Sequence, residues 1–421
     1  MQNKDSYIYP HINDDLFNIK LATKQEFQNS KADMIRDVTT HATEICNQNF
    51  ELRPHQIFVK NFLSMDTPYN SLLLYHGLGT GKTCSAISIA EDMRKYTKDM
   101  NSVQKILIVA SPNVQENFKK QIFNEHTLIE SKKSNGVYHS DTCIGNDLLA
   151  EINPTNRQMD KATIVNEANR IINKHYEFMG YTKLSYLIDS QMKRNNIAQT
   201  FNGRLIIIDE VHNIRTNEDE ENKRIVKSLY NLVENSNNVR FLFLSATPMY
   251  NNYREILWLI NLMNMNDKRS VLKEKDVFDS DGHFIVDEQG IETGKINFIR
   301  KVTGYVSFVR GENPYSFPYR IYPNIFEPER SLLNTNYPRI QYNGDPILVP
   351  IQHLDIYTTH LQGYQLQLYK YLSAQLISKQ KNNSNEINVF DLENKGYLRF
   401  QRPLNVLNLS LIHISEPTRP Y

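Results

Sequence analysis

The feature that most constrains this 421-residue sequence is a glycine-rich stretch, GLGTGKT, at residues Gly77–Thr83. It directly follows the apolar run Leu72–Tyr75 and precedes the amphipathic stretch Cys84–Met93. Glycines at this density allow backbone N–H groups to turn inward around phosphate oxygens, where side chains would clash. A helix that begins at this point adds the partial positive charge of its N-terminus. The stretch therefore predicts a phosphate-binding loop between a buried strand and a helix.

The predicted loop assigns roles to individual residues, and the expected ligand is ATP with Mg²⁺. Six residues would contact the nucleotide: Gly77, Gly79, Thr80, Gly81, Lys82 and Thr83. Lys82 would reach the β- and γ-phosphates, and the Thr83 hydroxyl would be a ligand of Mg²⁺. The strict form of the motif has a glycine six positions before the lysine, where this sequence has His76.

The surrounding sequence alternates strands with helices from about residue 52 to residue 263. Four apolar runs have the length of strands that are buried on both faces: Leu72–Tyr75, Ile106–Ala110, Leu205–Ile208 and Phe241–Leu244. Amphipathic stretches between them, such as Cys84–Met93 and Asn117–Phe123, would serve as crossover helices. The pattern predicts an α/β fold with a doubly wound, mostly parallel sheet.

Two further strand ends carry residues suited to nucleotide chemistry. Asp209 and Glu210 follow the run Leu205–Ile208, at the edge of the sheet where ligands bind in such folds. Asp209 would hold Mg²⁺, and Glu210 would polarise the attacking water. The expected catalytic residues are therefore Glu210 and Lys82.

Two other short motifs extend this pattern. Ser245 and Thr247 follow the run Phe241–Leu244, and their hydroxyls could hydrogen-bond toward the Asp209 and His212 turn and couple nucleotide state to a neighbouring surface. Upstream, Gln56 stands near the start of a predicted helix and offers a paired donor and acceptor that suit the edge of adenine. A plain helix start is the alternative reading of Gln56.

Taken in chain order, from Gln56 through the phosphate loop and the Asp209-Glu210 pair to Ser245 and Thr247, these four elements resemble motifs Q, I, II and III of superfamily 2 helicases. The resemblance implies a RecA-like P-loop NTPase domain. Ala110-Ser111-Pro112 resembles motif Ia, which implies that Ser111 and Pro112, with Asn117 on the next helix, contact a nucleic-acid backbone. Lysines 119 and 120 could add phosphate contacts, or form an ordinary solvated face. An ATPase unrelated to nucleic acid is disfavoured, because it would not explain these motifs.

A longer stretch is similar to helicase-like proteins of large DNA viruses, which include the poxvirus early transcription factor small subunit, poxvirus nucleoside triphosphatase I and giant-virus relatives. It runs from Ser307 to Pro318. Gln365 and Tyr369 resemble the connector that precedes the second motor domain in Swi/Snf-like members. The resemblance implies an ATP-dependent translocase or helicase, acting on duplex DNA in viral transcription with polymerase or transcription-factor subunits as partners. The alternative is an ATP-binding regulatory module of a transcription complex, without unwinding activity.

The resemblance also divides the chain. We expect an N-terminal extension at 1–50, the ATP-binding domain at 51–263, an insertion with a Pro- and Tyr-rich segment at 264–330, and a helical connector at 331–408. No second-domain motif is found, so the chain given is expected to be inactive alone. Residues 409–421 are expected to be a sequencing-adapter artefact, because the first eleven resemble one adapter reading frame; an ordinary strand with a Pro-rich tail is the alternative.

Composition excludes several classes of protein. Lys and Arg number 48 and Asp and Glu number 47, so any basic groove must be local. No apolar run approaches the ~18 residues of a membrane span, and residues 1–10 do not read as a signal peptide. Cys46, Cys84 and Cys143 are odd in number and far apart, which predicts a reducing compartment without disulfides. We expect a soluble intracellular protein, in the viral factory, the host cytoplasm or the virion.

Overall fold

A computed structural model gives the fold of the chain. It describes residues 8–31, 51–99, 104–130, 137–140, 142–214, 220–249, 253, 255–280, 282–309, 321–334, 337–341, 344–348, 354–382 and 405–407. Cys46, the segment 310–318 and the terminal segment 408–421 lie outside these residues. The chain divides into two compact units, residues 1–318 and residues 319–421.

A six-stranded parallel sheet organises the first unit. Its strands are β1 (Ser71–His76), β2 (Ile106–Val109), β5 (Tyr176–Met179), β6 (Leu205–Ile208), β7 (Arg240–Ser245) and β8 (Val306–Val309). Their order across the sheet is β5-β2-β6-β7-β1-β8, and every pairing is parallel. A separate antiparallel pair consists of β3 (Ile129–Glu130) and β4 (Tyr138–His139). The predicted α/β class with a mostly parallel sheet is confirmed.

Helices connect these strands and cover the sheet. In the first unit they are α1 (Phe17–Ala22), α2 (Gln25–Gln28), α3 (Pro54–Phe62), α4 (Lys82–Asp99), α5 (Pro112–Ile122), α6 (Asp147–Ile152), α7 (Lys161–His175), α8 (Tyr181–Lys193), α9 (Ile197–Phe201), α10 (Glu220–Glu234), α11 (Glu255–Asn266) and α12 (Thr293–Val302). Short 3₁₀ turns lie at Glu125–Thr127, Val211–Asn213 and Glu274–Asp276. Among the described helices, none is both long and apolar enough to cross a membrane.

Burial explains why the central strands read so clearly in the sequence. Every residue of β2, β6 and β7 is buried, so these strands are covered on both faces. Burial of this kind, at about 25 cal/mol per Å² of apolar surface, is the main stabilising contribution of such a core. The core of the first unit continues into α4, α10 and α11.

The sheet extends beyond the predicted boundary at residue 263. Strand β8 pairs with β1, from Leu73 opposite Val306 to His76 opposite Val309. The polar stretch that precedes β8 packs through its own aromatic side chains, with Phe278 stacked on Phe284 and close to Phe298. The sheet of the first unit therefore includes residues on both sides of this stretch.

The prediction of unpaired cysteines is wrong for two of the three residues. Cys84 and Cys143 form a disulfide bond, and their Cα atoms lie 5.1 Å apart. They are 59 positions apart in sequence, and only the crossover from α4 through β2 and α5 brings them together. Sequence separation therefore gave no sign of this contact.

The second unit is described by itself. It contains α13 (Pro323–Phe326), a 3₁₀ turn at Pro328–Arg330 and α14 (Gly363–Asn382). Isolated antiparallel bridges join Ser331 to Tyr357 and Ile340 to Pro346. The Gln365 side chain donates a hydrogen bond of 2.7 Å to the Val406 carbonyl. The stretch 331–408 thus contains the helix Gly363–Asn382, and its role as a connector stays a prediction.

Candidate nucleotide site

Four predicted motifs meet at one edge of the parallel sheet. The phosphate loop follows β1, the Asp209-Glu210 pair follows β6, and Ser245 ends β7, so all three lie at the carboxyl ends of adjacent strands. Ser111 follows β2, which neighbours β6 on its other side. Because all these strands are parallel, the motifs converge on the edge where ligands bind in this class of fold.

The phosphate loop adopts the backbone that its glycines allow. Gly79 and Gly81 have φ angles of +73° and +82°, which side chains disfavour. A Cβ atom at Gly81 would lie 2.5 Å from Nε2 of Gln56. Helix α4 begins at Lys82, so its N-terminus faces the position that the loop would give to phosphate.

Lys82 lies against its own loop. Its ammonium donates hydrogen bonds to the carbonyl oxygens of His76, at 2.9 Å, and Gly77, at 3.2 Å. Burial lowers the pKa of Lys82, whereas the nearby negative charges of Glu210 and Asp209 raise it. These three charged groups are therefore neighbours, as the predicted site requires.

Gln56 supports the loop with both ends of its amide. Its Oε1 accepts a hydrogen bond of 2.8 Å from the backbone N–H of Arg53, and its Nε2 donates one of 3.1 Å to the Gly81 carbonyl. The side chain is 3% exposed. Gln56 thus lies at the start of α3, as the alternative reading expected, and it also contacts the phosphate loop. Contact with adenine stays a prediction.

Two histidines to which the sequence analysis gave no role lie at the loop. His55 Nε2 lies 2.9 Å from the Thr80 carbonyl, and His76 Nε2 lies 2.9 Å from Ser307 Oγ on β8. The His76 ring is fully buried, and burial, together with His55 and Lys82, lowers its pKa to about 4. His76 is therefore neutral at physiological pH and links the start of the loop to the edge strand.

The Asp209-Glu210 turn has an unusual backbone. Glu210 has φ +47° and ψ +50°, a left-handed conformation that costs a non-glycine residue about 1–2 kcal/mol. The Asp209 carboxylate accepts a hydrogen bond of 2.9 Å from the Glu210 N–H, and Tyr181 donates one of 2.8 Å to the Asp209 carbonyl. These contacts hold the strained turn. Sequence reasoning missed Tyr181, which is merely the first residue of a helix.

The link predicted between the second and third strand ends is present. His212 Nδ1 lies 3.0 Å from Ser245 Oγ and 3.2 Å from a carboxylate oxygen of Glu210. Ser245 Oγ also accepts a hydrogen bond of 3.0 Å from the Thr247 N–H. His212 thus forms a hydrogen bond with the residue that ends β7, and the same ring nitrogen lies close to a buried Glu210 oxygen that makes no hydrogen bond. Its role in coupling stays a prediction.

The residues present fit a magnesium ion that arrives with a nucleotide. Asp209 is 7% exposed, and its burial, together with the charge of Glu210, raises its pKa to about 6. Asp209 and Thr83 supply hard oxygen donors, which Mg²⁺ prefers, usually as one or two protein ligands beside phosphates and waters. Among the described residues, no group of three or more His, Cys, Asp or Glu side chains forms a self-sufficient metal site.

The raised pKa of Asp209 has a measurable cost to stability. An unfolded aspartate ionises near pH 3.8, so burial of the charged form destabilises the fold progressively between about pH 4 and pH 6 and fully above that. Asp209→Asn should therefore increase the free energy of unfolding by about 2–3 kcal/mol at pH 8 without nucleotide, and by much less near pH 4.5. Denaturant unfolding at several pH values measures this.

Asp189 is the matched control for that substitution. Although burial raises its pKa, hydrogen bonds from Ser228 and Arg224 hold the pKa below its usual value. Asp189→Asn should thus destabilise the fold at neutral pH. A gain for Asp209→Asn that does not change with pH would contradict the electrostatic explanation.

The predicted nucleic-acid residues lie on the surface. Ser111 precedes α5 and Pro112 is its first residue; both are exposed, as is Asn117. Lys119 forms an ion pair of 2.7 Å with Glu116 and lies over the Phe178 ring, whereas Lys120 is exposed. This surface begins one strand away from Asp209, whose N–H donates to the Val109 carbonyl at 3.0 Å.

Comparisons with known proteins agree with this geometry. A candidate ATP-dependent RNA helicase of Acanthamoeba polyphaga mimivirus is 28% identical over 281 residues, covering 64% of this chain and 42% of its own length. A candidate helicase of Invertebrate iridescent virus 3 is 27% identical, covering 62% of this chain and 23% of its own length. The predicted resemblance to helicases of large DNA viruses is confirmed.

A further relative and one solved structure are also similar to this chain. An early transcription factor large subunit homolog of African swine fever virus is 23% identical over 399 residues, covering 75% of this chain and 35% of its own length. The chain thus spans less than half of the length of these curated relatives. A solved Sulfolobus solfataricus SWI2/SNF2 ATPase core in complex with dsDNA matches 88% of this chain and 61% of its own length, at 14% identity and a TM-score of 0.38.

A family match covers the site itself. Residues 55–294 match the SNF2-related domain, which includes the phosphate loop, the Asp209-Glu210 turn and Ser245. Because this match extends over more than half of the 421-residue chain, the chain belongs to the SNF2-related, helicase-like ATPase family.

Proposed function

We propose that this chain is the ATP-binding first lobe of a motor that moves along nucleic acid, with duplex DNA as the substrate. The observation that carries the proposal is the convergence of the phosphate loop, the Asp209-Glu210 turn and the Ser111 surface on one edge of the sheet. A nucleotide-driven change at the first two can reach the third through adjacent strands.

Each residue of the site has a separate role in binding and hydrolysis of the nucleotide. Lys82 and the backbone N–H groups of the loop bind phosphate. Thr83 and Asp209 would hold Mg²⁺, which would neutralise charge on the phosphates. Glu210 orients a water molecule and accepts its proton during attack. His212 then links the state of Glu210 to Ser245, through the contacts of 3.2 and 3.0 Å.

The setting proposed for this activity is viral transcription. The African swine fever virus relative is named as a transcription factor subunit homolog, so polymerase or transcription-factor subunits are the expected partners, in the viral factory or virion. That name also favours the second candidate function, an ATP-binding regulatory module without unwinding. A translocation assay on the full-length protein separates the two, because only a motor moves along the duplex when it hydrolyses ATP. A strand-displacement assay then separates unwinding from tracking along an intact duplex.

Nucleic-acid binding gives a direct test of the proposal. Phosphate contacts make log affinity fall linearly with log salt, whereas affinity stays indifferent to base sequence. We expect duplex DNA to bind in this manner and Lys120→Ala to reduce the salt slope by about one. Fluorescence anisotropy with labelled duplexes of unrelated sequence measures both quantities.

The control is Lys295→Ala, which removes an exposed lysine of α12 that is paired with Glu292. It should leave the slope unchanged. Salt-insensitive or strongly sequence-specific binding would refute the proposed mode of contact.

A further inference from the structure

The disulfide between Cys84 and Cys143 lies beside the nucleotide site. Cys84 directly follows Lys82 and Thr83 in the first turn of α4. Cys143 lies in the loop that leads into α6 and is 4% exposed. The bond therefore fastens the turn that carries the phosphate-binding side chains to a neighbouring loop.

The rest of α4 is fastened to α6 by ion pairs. Lys95 contacts Asp147 at 2.8 Å, and Glu151 contacts Arg94 at 2.9 Å and Lys98 at 2.7 Å. All three cations belong to the second half of the helix, about three turns or more from Cys84. The buried Arg94 anchors this half in either redox state, whereas the two lysine pairs lie on the surface. In the first turn, the disulfide adds a covalent link to the packing of the buried residues that follow Cys84.

Movement of this first turn matters for phosphate binding. The Lys82 ammonium is held by the carbonyls of His76 and Gly77, at 2.9 and 3.2 Å. To reach the phosphates, Lys82 must leave both carbonyls. When the disulfide fixes Cys84, two residues after Lys82, the first turn of α4 cannot shift with Lys82. Only the phosphate loop can then adjust so that Lys82 reaches the phosphates.

We propose that the Cys84–Cys143 pair is a reversible redox site that regulates nucleotide binding, with the disulfide form binding Mg·ATP weakly and the dithiol form binding it tightly. The inference rests on the proposed function, because it concerns the same phosphate loop. Disulfides inside cells are typically transient and redox-sensing, as small thiols such as glutathione keep most cysteines reduced.

The chemistry of reduction favours attack on one of the two sulfurs. Cys143 is 4% exposed but lines a cleft of about 860 Å³, through which a small thiol approaches the bond. Cys84 is the better leaving group, because the N-terminal charge of α4 stabilises its thiolate. The small thiolate therefore bonds to the Cys143 sulfur and breaks the protein disulfide.

A second small thiol completes the exchange. It attacks the mixed disulfide and releases Cys143 as a thiol and the two small molecules as their own disulfide, so two electrons and two protons pass to the protein. The reduced Cys143 has a partner ready, since Gln121 Oε1 lies 3.2 Å from its sulfur and can accept a hydrogen bond from the thiol.

Binding of Mg·ATPγS by the oxidised and reduced chain tests the proposal. The chain is prepared with Cys46→Ser, so that only this pair responds, and is equilibrated with oxidised or reduced glutathione. Differential alkylation with mass spectrometry counts the free thiols, and calorimetry gives Kd. We expect Kd to be at least about fivefold lower in the reduced form, at the lower end of typical coupling between two sites. Reoxidation should restore the weaker value.

Cys143→Ser is the matched variant, because it breaks the bond from the side away from the phosphate loop. Once mass spectrometry shows that Cys84 carries no glutathione, this variant should bind with the reduced-form Kd under both conditions. Equal Kd values for the oxidised and reduced chain, or failure of oxidised glutathione to form the bond, would overturn this inference alone. Loss of nucleotide binding in both forms would overturn the proposed function as well.

Discussion

Glu210→Gln should retain Mg·ATP binding within about twofold and lower the rate of hydrolysis by about 10²–10⁴-fold, the usual contribution of a general base. Glutamine keeps the size of the side chain and can still contact His212, but it cannot accept the proton of the attacking water. The strained backbone at Glu210 also supports a functional role, since left-handed non-glycine residues concentrate at active sites. Calorimetry on this chain and steady-state ATPase measurements on the full-length protein check the two parts separately.

Glu220→Gln serves as the control for this substitution. Glu220 is an exposed residue at the start of α10, paired with Lys223 at 2.8 Å, and its replacement should change neither quantity. An equal loss of binding and hydrolysis in Glu210→Gln would argue instead that Glu210 supports the structure of the turn.

Lys82→Ala should have the largest effect on nucleotide affinity. Hydrogen bonds to charged groups contribute about 1.5–3 kcal/mol, which corresponds to a weakening of Mg·ATP binding by about 10–100-fold. Hydrolysis should be abolished, because the remaining site holds two acidic side chains without the cation that offsets them. Calorimetric titration with Mg·ATPγS measures the affinity, and an ATPase assay on the full-length protein measures the turnover.

Lys95→Ala is the matched control, since it removes an exposed lysine from the same helix. Its ion pair with Asp147 is on the surface, where such pairs contribute about 0–1 kcal/mol. Unchanged affinity and turnover in Lys82→Ala would refute the assignment of the phosphate loop.

The strands that the sequence predicted are those that are buried on both faces. Leu205–Ile208 appears in the structure with the same bounds, and the other three runs match to within two residues at each end. The two strands of the six-stranded sheet that were missed, Tyr176–Met179 and Val306–Val309, form its two edges and are only partly buried. An edge strand needs fewer apolar residues, so it leaves no continuous apolar run to detect.

Charge alone does not reveal one of the helices. A run as charged as Glu218 to Arg224 is typical of a solvated loop, but a helix that begins at Glu220 includes most of it. Its buried residues, such as Leu229 and Val233, lie beyond the charged run. Similarly, the spacing of Asp209, His212 and Ser245 predicted a polar link, whereas the supporting contacts of His55 and Tyr181 depend on tertiary packing that no local pattern records.

The pairing of β8 with β1 sets a limit on how this domain can be isolated. The family match ends at residue 294, before β8 begins at Val306. A fragment cut at that point would leave the N–H and C=O groups of β1 unpaired along one side, and an exposed apolar edge strand is a template for pairing with other chains. Aggregation of such a fragment would then reflect a missing neighbour strand, and a recombinant domain should extend at least through Val309.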